Sequence, residues 1–314
     1  MNPQKALILG CSGQDGSLIS QSLLEKGYKV VGTTRSNNKK IKSHEKIGIS
    51  NKIKVITNQL LKLDEIEQLI DYEKPNEIYN FAGQSSVGLS FKYPEKTKES
   101  IVTISENLLN ACANNQFKGR LFFAGSSEIF GTTSQPAKEN SEKKPLSPYA
   151  EAKLESFLLV KKYREEYNLK CVTGIFFNHE SNLRGKNFVT QKIVTTAQKI
   201  AHGSNEILKL GNIEIKRDWG SAKEYVIAAQ KMLRSNRLKD YTICTGKSIS
   251  LKYFLANVFK QLDLRWEDHV EIDKALFRTN EIKQSYGDSV DIYKDIGWKA
   301  KKNIHDVINE LLEN

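Results

Sequence analysis

Four side chains near the middle of the sequence have the types and spacing to move protons on a hydroxylated substrate: Ser126, Glu128, Tyr149 and Lys153. In Ser147-Pro148-Tyr149-Ala150-Glu151-Ala152-Lys153 the phenol and the ammonium stand four apart, so on a helix they share a face. An ammonium beside a phenol favours the phenolate. The spacing therefore predicts a lowered Tyr149 pKa and a usable base near neutral pH. Ser126 follows the apolar run Leu121-Phe122-Phe123-Ala124-Gly125, which predicts a sheet strand ending at the hydroxyl. A hydroxyl there can hydrogen-bond the oxygen whose proton the phenolate takes. Two residues on, Glu128 adds a carboxylate that can remove a carbon-bound proton once a neighbouring carbon has become a ketone. Tyr-xxx-Lys alone occurs often by chance, and its weight here comes from the residues around it.

A second constellation opens the chain. Gly10-Cys11-Ser12-Gly13-Gln14-Asp15-Gly16 follows the apolar run Ala6–Leu9 and precedes a stretch with Leu18, Leu23 and Leu24 on one face. Strand, glycine turn and amphipathic helix in that order predict a diphosphate cradle. The glycines allow close backbone approach, and the helix presents unpaired N–H groups to the anion. The candidate dinucleotide-binding residues are thus Gly10, Ser12, Gly13, Gln14, Asp15 and Gly16. The next strand ends Val31-Gly32-Thr33-Thr34-Arg35-Ser36, with no carboxylate for a ribose 2′-hydroxyl. Arg35 there, with Ser36, suits a 2′-phosphate, so NADP is expected over NAD.

The elements that must position these groups follow from periodicity. Short β-rich runs at Ala6–Leu9, Lys29–Gly32, Lys54–Ile56, Glu77–Phe81, Arg120–Phe123, Cys171–Phe176 and Tyr241–Cys244 alternate with helical patterns at Asp64–Tyr72, Ser100–Ala113 and Tyr149–Tyr167. That alternation predicts an α/β fold with a doubly wound parallel sheet. After about residue 177 longer helices follow at Val189–Ala201, Ala222–Ser235, Leu251–Leu262 and Asn303–Leu312. The expected organisation is a dinucleotide-binding domain over residues 1–177 plus a returning strand near 236–247. A smaller, mostly helical C-terminal substrate lobe takes 178–235 and 248–314. The polar stretches Lys39–Asn51 and Ser134–Lys144 read as surface loops.

Bulk properties narrow the class. No apolar run reaches the roughly 20 residues that cross a bilayer, and the start shows no basic-then-apolar leader, so no membrane association and a cytoplasmic location are expected. Cys11, Cys112, Cys171 and Cys244 lack CxxC spacing and read as free thiols, with no metal site. The net charge of +11 comes from lysines scattered in pairs, without a nucleic-acid-binding signature. A phosphorylated cofactor and substrate are sufficient anionic partners.

Read together, these motifs resemble the GDP-mannose 4,6-dehydratase family, a nucleotide-sugar branch of the extended short-chain dehydrogenases with a Rossmann-type sheet. The likeness runs over nearly the whole chain. Besides Gly10–Gly16, Ser126–Gly131 and Ser147–Lys153, it is carried by Tyr79-Asn80-Phe81-Ala82-Gly83-Gln84-Ser85 and by Phe177-Asn178-His179-Glu180-Ser181-Asn182-Leu183-Arg184-Gly185. Further pieces are Phe188–Ile193, Leu210-Gly211-Asn212, Arg217-Asp218-Trp219-Gly220, Phe277–Glu281 and Ile296-Gly297-Trp298. The resemblance implies that Gln59, Leu60, Phe81, Ala82, Gly83, Gln84, Ser85, His179 and Arg184, with Lys153, join the cofactor site. It also implies that Ser85, Asn178, Phe188, Val189, Lys192, Leu210, Gly211, Arg217, Arg278 and Glu281 line a GDP-sugar site.

The chain departs from the family at several points. Ser126 replaces a Thr, Gly83 an Ala, Ser86 a His and Thr279 a Pro, while Asn58-Gln59-Leu60-Leu61-Lys62 stands in place of Gly-Asp-Leu-Thr-Asp. The chain is also short between Arg35 and Lys54, a region that helps build a tetramer in the family. A homo-oligomer, dimer or tetramer, is implied. The expected activity is conversion of GDP-D-mannose to its 4-keto-6-deoxy product. A paralogous activity on another nucleotide sugar (heptose dehydration, C4 oxidation or reduction, decarboxylation) stays open, as does a non-catalytic NADP-binding sensor.

Overall fold

The computed structural model describes residues 3–37, 40–278 and 280–313. Lys39 and Thr279, both named above, lie outside the described residues. Seven strands form one parallel sheet: β1 (Lys5–Leu9), β2 (Lys29–Thr34), β3 (Lys54–Thr57), β4 (Glu77–Asn80), β5 (Arg120–Ser126), β6 (Cys171–Phe176) and the returning strand Tyr241–Ile243. Their spatial order is Tyr241–Ile243, β6, β5, β4, β1, β2, β3. The α/β doubly wound fold expected from the alternating pattern is present. Its strands read as continuous apolar runs because helices cover both faces. Side chains alternate across the sheet: Leu7, Leu9, Leu121 and Phe123 pack on one face with Leu108 and Ile70, and Ile8 and Phe122 on the other with Ile19 and Tyr225.

A separate apolar cluster gathers Ile193, Val194, Phe254, Leu255, Val307 and Ile308. It joins the helices Val189–Ala201, Leu251–Lys260 and Ile304–Leu312. Small strands connect this body to the sheet's carboxyl edge. Asn178–Glu180 pairs with Trp219–Ser221, and Lys216–Arg217 lies between Ile249–Ser250 and Gln284–Ser285. Asp218 knots these pieces. Its buried carboxylate accepts from Thr245 N and Thr245 Oγ1 at 2.9 and 2.6 Å and from Gly246 N at 2.8 Å.

Two local expectations are corrected. Ser100–Ala113 is not one regular helix: a π-type turn over Glu99–Thr103 leads into the helix Ile104–Asn114. The widened turn places Ser100 Oγ 3.2 Å from the donating Gln84 N, at the cavity described below, a recurrent setting for such turns. Lys39–Asn51 is not merely a loop, since Lys42–Lys46 forms one helical turn with His44 buried beneath it. Five residues are too few to display a 3.6-residue period, so composition alone read as loop. Among the described residues no helix is long and apolar enough to cross a membrane, no cluster could hold a metal ion, and all four cysteines are buried free thiols.

Candidate active site

The strand–turn–helix at the amino end is built as the glycine spacing requires. Gly10 adopts φ +79°, and a Cβ there would stand 2.9 Å from Ala82 N and Phe81 C. A Cβ on Gly16 would meet Gly10 O at 2.3 Å. The turn is anchored by Gly10 N and Cys11 N, which both donate to Thr33 O, at 3.2 and 3.0 Å. Helix α1 (Gln14–Glu25) begins at Gly13 without a side-chain cap, so its first N–H groups have no intrahelical acceptor. That donor set fits the diphosphate of a dinucleotide.

From this turn a cavity of ≈ 560 Å³ runs along the carboxyl ends of the strands. One end holds Gly10, Ser12, Gly13, Gln14, Asp15 and Gly16, with Phe81, Ala82, Gly83, Gln84 and Ser85 beside them. Its middle holds Ser126, Glu128, Tyr149 and Lys153. Asn178, His179 and Arg184 line the cavity beside the phosphate turn, where His179 meets Asp15, and Phe188, Val189, Gly211, Arg217, Arg278 and Glu281 line the rest. The proton-transfer set, the phosphate turn and a cationic pair therefore share one space. The residues come from seven separated stretches of chain.

Ser126 is the N-cap of a short turn, Ser127–Phe130, and its Oγ accepts from Glu128 N at 3.3 Å. With the oxygen so occupied, its proton remains free to donate. Tyr149 and Lys153 project from the helix Pro148–Glu166, which Ser147 caps by accepting from Ala150 N at 3.1 Å. The electrostatics correct the expectation drawn from spacing. Lys153 Nζ donates to Ala124 O at 2.8 Å and lies 5.9 Å from the Tyr149 ring centre. Burial prevails at both groups: it pushes the phenol up to about 12, against a hydrogen bond from Ser126, and the ammonium down to about 8. The side chains meet as their spacing requires, but burial rather than the ammonium sets the direction of the phenol's shift.

Glu128 is raised by burial, with Arg217 and Arg278 opposing. A carboxyl held above its usual range is a stronger base than a solvated one. Burial lowers the Arg217 guanidinium, which donates to Ile282 O at 2.7 Å and to Lys216 O at 2.9 Å.

The loop after β6 is bound to the phosphate turn. Gln14 Nε2 donates to His179 O at 3.2 Å, and Ser181 Oγ donates to Gln14 Oε1 at 2.9 Å. His179 reaches acceptors at both ring nitrogens, with Nδ1 2.7 Å from Phe177 O and Nε2 3.0 Å from Asp15 Oδ1. Burial alone would raise Asp15 and lower His179. Their mutual attraction wins, holding the carboxyl low and the imidazole high. Arg184 Nε stands 3.3 Å from the buried Glu180 carboxylate, and its guanidinium lies 3.6 Å over the Phe188 ring.

Other expected site residues stand apart from this cavity wall. Exposed Arg35 and Ser36 follow β2, and Gln59 and Leu60 follow β3; none of them lines the cavity. Leu60 is buried in the sheet core and Leu210 in the second apolar cluster. Lys192 Nζ donates to Lys209 O at 2.7 Å, away from the lining. Sequence reasoning passed over Asn212, Ile215, Leu251 and Leu276, which close the far end. Ile215 and Leu251 look like ordinary core positions in a linear reading. Only Asn212 and Leu276 stood in or beside a motif.

The chain matches the family model described as GDP-mannose 4,6 dehydratase over residues 7–311. It is 38% identical to GDP-mannose 4,6 dehydratase 1 of Arabidopsis thaliana, covering 100% of this chain and 90% of that protein. Its identity to the Homo sapiens GDP-mannose 4,6 dehydratase is 34%, over 98% and 90% respectively. Similar solved structures include Pal from Bacillus thuringiensis (TM-score 0.88, 18% identity, 99% and 98% covered). Another is RMD from Pseudomonas aeruginosa complexed with NADPH (TM-score 0.82, 20% identity, 98% and 97% covered). Those structures speak for the fold, whereas the matched motifs and full-length identity speak for kinship: this chain belongs to the GDP-mannose 4,6 dehydratase family.

Proposed function

We propose that this protein is a GDP-mannose 4,6-dehydratase, converting GDP-D-mannose to the GDP-4-keto-6-deoxy sugar with NADP as a recycled internal redox partner. The observation that carries the reading is the meeting of Ser126, Glu128, Tyr149 and Lys153 in one cavity with the uncapped α1 terminus. Family membership and the names of the curated relatives support the substrate. In this reading residues 1–177 with 236–247 hold the dinucleotide, and 178–235 with 248–314 hold the GDP-sugar. The absence of a carboxylate after β2 and the presence of Arg35 and Ser36 there favour NADP.

A nicotinamide dinucleotide, when bound, would accept a hydride from sugar C4 in its oxidised form and return it to C6 in the reduced form so made. Gly10, Ser12, Gly13 and Gly16 would hold the diphosphate, with Phe81–Ser85, His179 and Arg184 completing the pocket. Tyr149 takes the C4 hydroxyl proton while Ser126 donates a hydrogen bond to that oxygen. Lys153 supplies the ammonium that favours the phenolate. Once C4 is a carbonyl, the C5 proton is acidic and Glu128 removes it. The C5 electron pair forms the C5–C6 double bond as hydroxide leaves C6, and the proton held by Glu128 completes the departing water. When hydride reaches C6, C5 takes up a proton, balanced by the one Tyr149 took from the C4 hydroxyl. Arg217 and Arg278 face the substrate diphosphate, whose negative charge offsets the pull they exert on Glu128.

Residence in the cytosol as a homo-oligomer belongs to the same reading. It is supported by the four unpaired buried thiols and by Leu89, Phe91 and Leu158, exposed on helices that pack together. The test is incubation with a panel of GDP-, CDP-, UDP- and dTDP-sugars, followed by mass spectrometry. Loss of one water from GDP-mannose is expected. No water loss from GDP-mannose, with turnover of another nucleotide sugar, would overturn the assignment.

A further inference from the structure

The short helix Lys42–Lys46 lies against the phosphate turn and reaches two of its carbonyls. Ser43 Oγ donates to Ser12 O at 3.0 Å. The ring of His44, 1% exposed, places Nε2 2.8 Å from Cys11 O. Ser17 Oγ, from α1, lies 3.0 Å from Cys11 O and 2.8 Å from Ser43 Oγ. These two hydroxyls have one proton each for three oxygen contacts. A carbonyl only accepts, so His44 must carry a proton on Nε2 and donate it to Cys11 O. Gln21 Nε2 donates to Ile47 O at 3.2 Å and fixes the end of the short helix to α1. Neither Ser43 nor His44 lines the cavity.

The arrangement has a consequence for anion binding. A peptide in this turn can present to a diphosphate either its N–H or the negative end of its carbonyl dipole. Holding the Cys11 and Ser12 carbonyls on the short helix commits both oxygens to donors that lie off the cavity. Gly10 N and Cys11 N are committed to Thr33 O and Gly13 N to Gly10 O, so Ser12 N and the first N–H groups of α1 are the donors left to face the ligand. We propose that Ser43 and His44 are positioning residues for the dinucleotide diphosphate, acting through the carbonyls of Ser12 and Cys11. The inference rests on the dinucleotide reading of the cavity above. It gives a role to the stretch that composition marks as a plain polar loop.

The test titrates NADP⁺ and, separately, GDP into the full-length protein and its variants His44→Ala, His44→Gln and Ser43→Ala. The alanine variants should each bind NADP⁺ about fivefold to tenfold more weakly, the worth of one well-placed hydrogen bond. Their GDP affinity should stay at the wild-type value. His44→Gln, whose amide can donate to the same carbonyl, should recover NADP⁺ binding to within about twofold of wild type. Wild-type NADP⁺ affinity in both alanine variants overturns the proposal, as does equal weakening of both ligands or failure of the Gln variant to recover. Should His44→Ala not fold, the Gln and Ser43→Ala variants decide the matter by the same criteria. A wild-type protein that binds neither NADP⁺ nor NAD⁺ would overturn the dinucleotide reading itself. Tight binding by wild type and variants alike removes only the positioning role.

Discussion

At the scale of single residues, type and spacing announced which groups meet but not how they are charged. Ser126, Glu128, Tyr149 and Lys153 were legible because strand-end and helix-face geometry follow from local sequence. Their pKa values were not, because burial is a property of the assembled cavity. Glu128 is the most exposed to a decisive experiment. Glu128→Gln keeps size and polarity but removes the base, so water loss from GDP-mannose should slow by about 10²–10⁴-fold, while GDP-mannose affinity stays within about threefold. Unimpaired elimination in that variant would reassign the C5 base. A pH profile tests Lys153 in the same way. Its ammonium, lowered by burial to about 8, is lost as pH rises through that value. The phenolate then loses its cationic neighbour. The ratio kcat/KM, which reports the free enzyme, should fall above about pH 8. A rate constant level to pH 10 would show that the ammonium's protonation state does not matter.

At the scale of elements, glycines of one motif do different jobs, and the structure separates them. A methyl on Gly16 meets main-chain atoms at 2.3 and 2.8 Å, where only backbone movement could relieve it. Gly16→Ala should therefore destabilise the fold by about 2–3 kcal/mol, read as a lower urea midpoint. A methyl on Gly13 finds only Gly10 O at 3.5 Å, an ordinary contact, and the residue has φ −76°. Gly13→Ala should leave stability within about 0.5 kcal/mol yet weaken NADP⁺ binding, because the added carbon stands where the diphosphate approaches. Similar stability losses in both would refute this division. The seven sheet strands were legible because parallel strands buried on both faces are apolar along their length. The Lys42–Lys46 turn was not, since its stability comes from His44 and Ser43 reaching the phosphate turn rather than from any period of its own. The far wall of the cavity was legible only through the family likeness, because Arg217, Arg278 and Glu281 are brought to it by chain crossings that periodicity does not encode.

At the scale of the whole molecule, the two ends of the cavity are mechanically joined. The loop from Phe177 to Arg184 is tied to the phosphate turn through Gln14 and Asp15, and its continuation supplies Phe188 and Val189 to the opposite end. A dinucleotide that orders the turn also orders this loop, and the second ligand then has less conformational freedom to remove. Binding of the two should be cooperative, and the coupling must be reciprocal. GDP-mannose is expected to bind Glu128→Gln, a variant in which water loss is slowed, about threefold to tenfold more tightly when NADP⁺ is present. NADP⁺ should gain by the same factor when GDP-mannose is present. Replacing Gln14 by Ala removes the bonds to His179 O and Ser181 Oγ, and with them much of the shared restraint. In Gln14→Ala,Glu128→Gln the two gains should shrink together, even where the separate affinities change little. Calorimetric titrations in all four orders measure these quantities. Independent affinities in the Gln variant would mean that the joined loop is rigid before either ligand arrives.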